Sequence, residues 1–297
     1  PVRKRRCAAP SRRAVAYPGM KVLVTGSNGQ VGTALIRALA DEPFQTIAIS
    51  RQQWDMRSHP SAAQDLVDRY SPNVVVNAAA YTDVDGAEND EKGAHAVNAE
   101  APHQLAIACS RQDIPIIQLS TDYVFSGNKS TPYVETDICD PLNVYGASKA
   151  LGEECIRAAA AHHIILRTSW VFSAFGQNFV TAMLRLGQER NALSVVNDQL
   201  GGPTSDGCLA RTLVTLLKSI SRQKKSDSPW GTFHYVGEPH VSRFDFADCI
   251  FRAAGNARLL DDQPAIRPCS SVDFPTAARR PENACLSNEK IRRHFMI

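Results

Sequence analysis

Tyr145 and Lys149 stand four residues apart in Tyr-Gly-Ala-Ser-Lys, a spacing that puts both side chains on one face of a helix, one turn apart. An ammonium so placed favours ionisation of a nearby phenol. Upstream, Ser120-Thr121-Asp122-Tyr123 follows the apolar run 114–119, so Thr121 is a hydroxyl at the end of a predicted buried strand. A phenol, an ammonium and a hydroxyl at one point can hold a carbonyl oxygen and protonate it while hydride reaches its carbon. That chemistry needs a hydride source, and an element to hold it.

The element lies at residues 21–39. Lys21-Val22-Leu23-Val24-Thr25 is a short β-branched run, Gly26-Ser27-Asn28-Gly29-Gln30-Val31-Gly32 follows at once, and Val31, Leu35, Ala38 and Leu39 then recur at helical spacing. This is strand, glycine turn, helix. Gly26 permits the tight turn, Gly29 lets backbone approach a pyrophosphate, and Gly32 allows the helix to pack closely. The N–H groups of the helix start, around Asn28, Gln30 and Val31, face the phosphates.

The second strand, 46–50, ends in Ser50-Arg51, where an NAD-preferring site carries an acid. A guanidinium there welcomes a 2′-phosphate, so NADPH is favoured and NADH remains possible; Arg51 as a plain solvated loop residue is the alternative. Asp55 and Met56 stand where an adenine would rest. The third strand, 72–77, is apolar throughout, as a strand buried on both faces is. It runs into Ala78, Ala79 and Ala80, small enough for a cofactor to lie close, and then Thr82 and Val84. A long helix is predicted next, with Ala96, Val97, Leu105, Ile107 and Ala108 apolar. Its polar exception, Asn98, is either a cofactor contact or a bridge between backbone groups.

A turn-rich loop, 127–141, precedes a helix started by Asn143 or Pro141 and carrying Tyr145 and Lys149; residues 163–167 form a fifth strand. The alternation predicts an α/β fold: a doubly wound parallel sheet of Rossmann type over residues 20–168, with 204–236 returning to it. After Thr168 the alternation loosens. Residues 169–203 and 237–297 are expected to form a second, smaller α/β lobe for the substrate, with a helix capped by Ser242 and a last short helix near the end.

Composition narrows the classes. The formal charge is +3, but residues 1–19 hold Arg3, Lys4, Arg5, Arg6, Arg12 and Arg13; without these six the 33 basic side chains fall to 27 against 30 acidic. The body is near neutral, which argues against a nucleic-acid surface, and no apolar run is long enough to span a bilayer. The head, 1–19, is read as a disordered basic extension, with Met20 as a natural start. Eight cysteines show no CxxC pair and no histidine spacing suggests a metal, so free thiols in a reducing cytoplasm and no metal site are expected.

The glycine pattern, the hydroxyl after strand four and Tyr-x-x-x-Lys together resemble the extended short-chain dehydrogenase/reductases. More narrowly, Ser-Thr-Asp-Tyr-Val-Phe (120–125), Pro-Leu-Asn-Val-Tyr-Gly (141–146), Arg-Thr-Ser-Trp-Val (167–171), Asn-Asp-Gln (197–199) and Ala-Arg-Arg-Pro (278–281) resemble the dTDP-4-dehydrorhamnose reductase family. The resemblance implies reduction by NADPH of the C4 keto group of dTDP-4-dehydro-L-rhamnose, giving dTDP-L-rhamnose, with Thr121, Tyr145 and Lys149 catalytic and Tyr145 the proton donor. It implies Thr82, Val84, Asp122, Tyr123, Trp170, Asn178 and Gln199 near the sugar, and Arg279 or Arg280 near the diphosphate. Plainer roles stay open, with Trp170 in a core and Arg280 bracing the final helix. Partners beyond the nucleotide sugar are not expected: no nucleic acid, no membrane, a monomer or homodimer. Some relatives are magnesium-linked dimers through carboxylates near the C-terminus; this chain stops soon after Arg292-Arg293-His294-Phe295, and Mg2+ is not predicted. Two other readings share the fold: an epimerase or dehydratase with tightly held NAD, and a non-catalytic subunit like the regulatory subunit of methionine adenosyltransferase.

Overall fold

A computed structural model describes residues 19–260 and 262–297. The basic head, but for Gly19, lies outside the described residues. Two βα units and a third strand come first: β1 (Met20–Thr25), α1 (Gln30–Leu39), β2 (Phe44–Ile49), α2 (Ala63–Tyr70) and β3 (Val74–Asn77). After it come α3 (Val84–Ala87), α4 (Glu91–His95), a π-helical turn (Ala96–Glu100) and α5 (Ala101–Arg111), then β4 (Ile116–Thr121), α6 (Val144–Ala159) and β5 (His163–Thr168). The predicted single long helix is thus three segments, joined through a π turn that carries Asn98. Periodicity marks its apolar face but not the extra residue that shifts the register.

Five parallel pairings order the main sheet as β10-β5-β4-β3-β1-β2, with β10 (Gly231–His234) arriving from late in the chain to pair with β5. Its faces follow the two-residue period of a strand. Val22, Val24, Val74, Val76, Ile117, Leu119, Ile164 and Leu166 face one way, packed under α1 and α8 (Asp206–Arg222). Leu23, Val75, Ile116 and Ile165 face the other, under α2, α5 and α6. Both faces are covered, which is why these strands read as unbroken apolar runs. The fold is a doubly wound α/β sheet of Rossmann type.

Beyond β5 the chain builds a second apolar cluster around Met183, Leu193, Val195, Phe246, Ile250 and Phe251. This part of the chain holds β6 (Val171–Phe172), α7 (Phe179–Glu189), β7 (Ala192–Val196), β8 (Leu200–Gly201), β9 (Thr204–Ser205), β11 (Val241–Ser242), α9 (Arg243–Asn256) and β12 (Ala265–Cys269), all but β8 and β9 contributing to the cluster. These strands pair only two at a time: β7 with β12, β8 with β11, β6 with β9. Ser242 caps α9 reciprocally with Asp245, its hydroxyl accepting from the Asp245 amide at 3.0 Å. The last helix, α10 (Glu289–Phe295), returns to the main sheet through Ile291 and Phe295. Among the described residues no helix is long and apolar enough to cross a membrane.

Candidate active site

A cavity of about 880 Å³ opens at the carboxyl ends of the parallel strands, where ligands bind in open α/β sheets. A buried polar chain aligns those ends: Thr25 Oγ1 donates to Asn77 Oδ1 (2.5 Å), Asn77 Nδ2 to Gln118 Oε1 (2.7 Å), and Gln118 Nε2 to the Leu119 carbonyl (2.8 Å). Asn77 also accepts from the Ala79 amide at 3.2 Å, so the small residues after β3 are held against the floor.

At one end of the cavity lies the glycine turn. Gly26 has φ +67°, and a Cβ there would meet the Ala79 amide nitrogen at 2.6 Å; a Cβ on Gly32 would meet the Gly26 carbonyl at 2.1 Å. Among the described residues no side chain caps the start of α1, so its first N–H groups face the cavity. Shape and donors fit the pyrophosphate of a dinucleotide: bare backbone, close approach and a helix N-terminus. Asn28, Gly29, Gln30, Val31, Ser50, Arg51, Asp55, Met56, Ala78, Ala79, Ala80 and Thr82 line the cavity as well. Arg51 is mostly exposed, with a 3.7 Å pairing to Asp55 as its ion pair.

Tyr145, Lys149, Thr121 and Asp122 meet further along the same cavity. Asn143 caps α6, its Oδ1 accepting from the Gly146 amide at 2.8 Å, and this starts the helix so that Tyr145 and Lys149 face inward. Gly152 sets how deeply α6 docks: a Cβ there would lie 2.1 Å from the Asn98 carbonyl on the π turn. Asn98 in turn holds the Tyr81 amide and carbonyl (2.9 and 3.1 Å) and donates to Ser148 Oγ (3.0 Å). Its three contacts are structural; it stands behind the cavity wall rather than in it.

Burial dominates the electrostatics. It lowers Lys149 to about 8, with the Glu153 carboxylate one turn away pulling upward. The ammonium donates to the Leu119 carbonyl at 2.7 Å. Burial also pushes the Tyr145 phenol above its ordinary value, against a smaller opposite effect of Thr121. The sequence suggested that Lys149 holds this phenol near ionisation; in the structure the desolvation of the phenol outweighs any such pull. Thr121 donates its proton to Asp122 Oδ1 (2.9 Å) and accepts from the Tyr123 amide (3.2 Å). Asp122 itself is raised to about 7 by burial, and among the described residues its Oδ2 has no hydrogen-bond partner. The result is a compact group of proton carriers, largely dry, around a hydroxyl and a phenol.

On the far side, Val84, Tyr123, Trp170 and Asn178 line the cavity. Asn178 caps α7, accepting from the Thr181 amide at 3.1 Å, and reaches Gln30 Oε1 at 3.4 Å, so it ties the second cluster to the glycine turn. Three expected substrate contacts are not among the residues that line the cavity, though Arg280 stands beside Tyr123, which is. Gln199 donates to Ser271 Oγ at 2.9 Å, Arg279 is exposed, and Arg280 forms a two-pronged pair with Asp85 (3.1 and 2.6 Å). Gly32 serves the packing of the turn and does not line the cavity. Conversely, Trp54, Phe175, Gly176, Gln177 and Arg243 line it without having been expected. Arg243 had one local signal, its place as first residue of a helix whose cap, Ser242, was legible.

The chain matches the family model described as "RmlD substrate binding domain" over residues 20–297. It is 41% identical over 278 residues to a dTDP-4-dehydrorhamnose reductase of Aggregatibacter actinomycetemcomitans, covering 93% of this chain and 94% of that one. Among solved structures it is similar to the dTDP-4-dehydrorhamnose reductase of Clostridium acetobutylicum (TM-score 0.83, 36% identity, 91% and 90% of the two chains). It is also similar to that of Bacillus anthracis in complex with NADP (TM-score 0.84, 33% identity, 92% of each chain).

Proposed function

This chain belongs to the dTDP-4-dehydrorhamnose reductase family, and from that premise we propose that it reduces the C4 keto group of dTDP-4-dehydro-L-rhamnose with NADPH, giving dTDP-L-rhamnose. The observation that carries the reading is the meeting of Thr121, Tyr145 and Lys149 in the same cavity as the glycine turn. A similar structure holds NADP, and the cradle at Gly26, Gly29 and the start of α1 fits the same group here. When bound, the cofactor supplies hydride.

The chain's own residues handle the proton. Tyr145 donates it to the oxygen that becomes a hydroxyl, and Thr121 turns its O–H from Asp122 to the same oxygen. Burial raises the phenol, so Tyr145 enters the reaction protonated, as a donor must. Lys149, positive and one helical turn away, then eases departure of that proton, and its ammonium would also hold the ribose hydroxyls of the cofactor. Trp170 borders the sugar with one ring face already covered by Arg243, and Arg51 receives the 2′-phosphate. The main sheet and its helices form the dinucleotide-binding part, residues 20–168 with 204–236, and the cluster around Phe246 forms the substrate lobe, 169–203 with 237–297.

The test is NADPH oxidation by the purified protein with dTDP-4-dehydro-L-rhamnose, beside a panel of other nucleotide keto sugars. Fast turnover with the dTDP sugar supports the reading. Activity only with another sugar, or none together with non-exchanging bound NAD, contradicts it.

A further inference from the structure

A nucleotide sugar carries two negative phosphates, and the cavity must answer them on the side away from the glycine turn. Four cationic side chains line the cavity among the described residues: Arg51, Arg57, Lys149 and Arg243. Arg51 pairs with Asp55, and Arg57 is locked by two contacts to Asp90 (2.7 and 3.0 Å), both by the cofactor strand β2. Lys149 is spent on the Leu119 carbonyl. Arg280, the cation the sequence pointed to, is neutralised by Asp85 outside the lining. Arg243 differs from them all: among the described residues its guanidinium is held by neither a carboxylate within ion-pair distance nor a backbone carbonyl, and its polar surroundings are the Tyr123 phenol and, further off, Asp122.

Its posture is fixed nonetheless. The guanidinium lies 3.6 Å from the centre of the Trp170 ring and 4.9 Å from that of Phe179. Trp170 is itself set at φ +45°, an uncommon backbone state for a tryptophan, and the Arg243 amide is anchored on the Gln199 carbonyl at 3.2 Å. Stacking holds the plane of a guanidinium, and the N–H groups not turned to Tyr123 match phosphate oxygens two at a time. A cation kept half-buried with no carboxylate at ion-pair distance, Asp122 acting on it only from further away, is short of counter-charge.

We propose that Arg243 is the residue that selects the diphosphate of the sugar nucleotide, the part first assigned to Arg279 or Arg280, and that Trp170 is its platform. The inference rests on the proposed reaction for the identity of the nucleotide, but its test does not depend on turnover. Binding of dTDP and of thymidine is compared by tryptophan fluorescence in the wild-type protein, in R243M and in R243K. The wild type should hold dTDP far more tightly than thymidine. R243M should lose at least about tenfold in dTDP affinity, the range for a lost charge-assisted hydrogen bond, with thymidine affinity nearly unchanged. R243K should keep part of the preference, and NADPH affinity should be the same in all three.

Equal loss for dTDP and thymidine would mean that Arg243 only props Trp170, and would overturn the assignment. So would an unchanged dTDP-to-thymidine ratio in a folded R243M, or a loss confined to NADPH. If R243M does not fold, the R243K ratio decides: no change from wild type in its salt dependence and no loss of dTDP affinity also counts against it. A wild-type protein that prefers dTDP but reduces no keto sugar overturns the proposed reaction and leaves this assignment standing.

Discussion

Replacing Glu153 by Gln probes what keeps Lys149 charged. Glu153 lies one turn beyond Lys149 on α6, fully buried, and accepts from Ser120 Oγ (2.5 Å), Arg167 Nε and Nη2 (2.8 and 2.6 Å) and Arg157 Nη1 (3.1 Å). Burial would raise this carboxyl, but the Arg167 contacts hold it below its ordinary value. The other direct contacts of Arg167 are Cys139 Sγ, the Phe125 ring and His234, which burial lowers to about 3, with the Glu135 carboxylate acting from further off. The Gln variant therefore strands a buried guanidinium, and a broken buried pair costs about 3–5 kcal/mol.

A second effect reaches the chemistry. Lys149 sits at about 8 with Glu153 pulling upward, so losing the carboxylate moves it lower still. Activity that requires the ammonium then fades at a lower pH, and a downward move of the alkaline limb of kcat/KM by about one unit would correspond to ~1.4 kcal/mol of lost stabilisation. The assay is the pH profile of kcat/KM alongside thermal unfolding, for Glu153→Gln and for Glu153→Gln with Arg167→Gln. The double variant should recover much of the stability while keeping the shifted limb. An unshifted profile in a destabilised Glu153→Gln would refute the electrostatic role and leave the pair a purely structural one.

Asp122→Asn tests the buried carboxyl. Its folded value, about 7, lies above the ordinary 3.8, so its stability contribution is full below about pH 4 and is lost as pH rises through 7. The loss is of order 4 kcal/mol, and the Tm of Asp122→Asn relative to wild type should rise between pH 5 and pH 8; a constant difference counts against it. Gly152→Ala forces a methyl toward the Asn98 carbonyl at 2.1 Å; overpacking costs about 1–3 kcal/mol and a ~1 Å displacement of α6 costs about 100-fold in kcat, so unfolding and steady-state kinetics should fall together. Arg51→Gln should raise KM for NADPH at least ~10-fold, the scale of a charge-assisted contact, and leave KM for NADH unchanged; equal effects on both would remove Arg51 from the 2′-phosphate.

What could be read in the chain was what short stretches decide. Strand, glycine turn and helix at residues 20–39 are set by neighbours in sequence, and two-sided burial made β3 and β4 plain. Tyr145, Lys149 and Thr121 come to one cavity because a helix face and a strand end point to the same edge of the sheet. Contacts made across long separations were not legible. Arg280 is neutralised by Asp85, Gln199 is engaged by Ser271, and Arg243 owes its posture to Trp170 and Phe179, none of them a neighbour in sequence. The π turn escaped for another reason. An added residue in a helix leaves hydrophobic periodicity almost intact, yet it places the Asn98 carbonyl where α6 must dock.

The central claim is that Tyr145 delivers the proton in the reduction of a dTDP keto sugar. The direct measurement is single-turnover NADPH oxidation with dTDP-4-dehydro-L-rhamnose by the wild-type protein and Tyr145→Phe, with NADPH binding measured in both. Wild-type turnover, NADPH bound equally by the two, and a rate at least ~100-fold lower in the variant are predicted. Near-normal reduction by Tyr145→Phe, or no oxidation by the wild type, contradicts it.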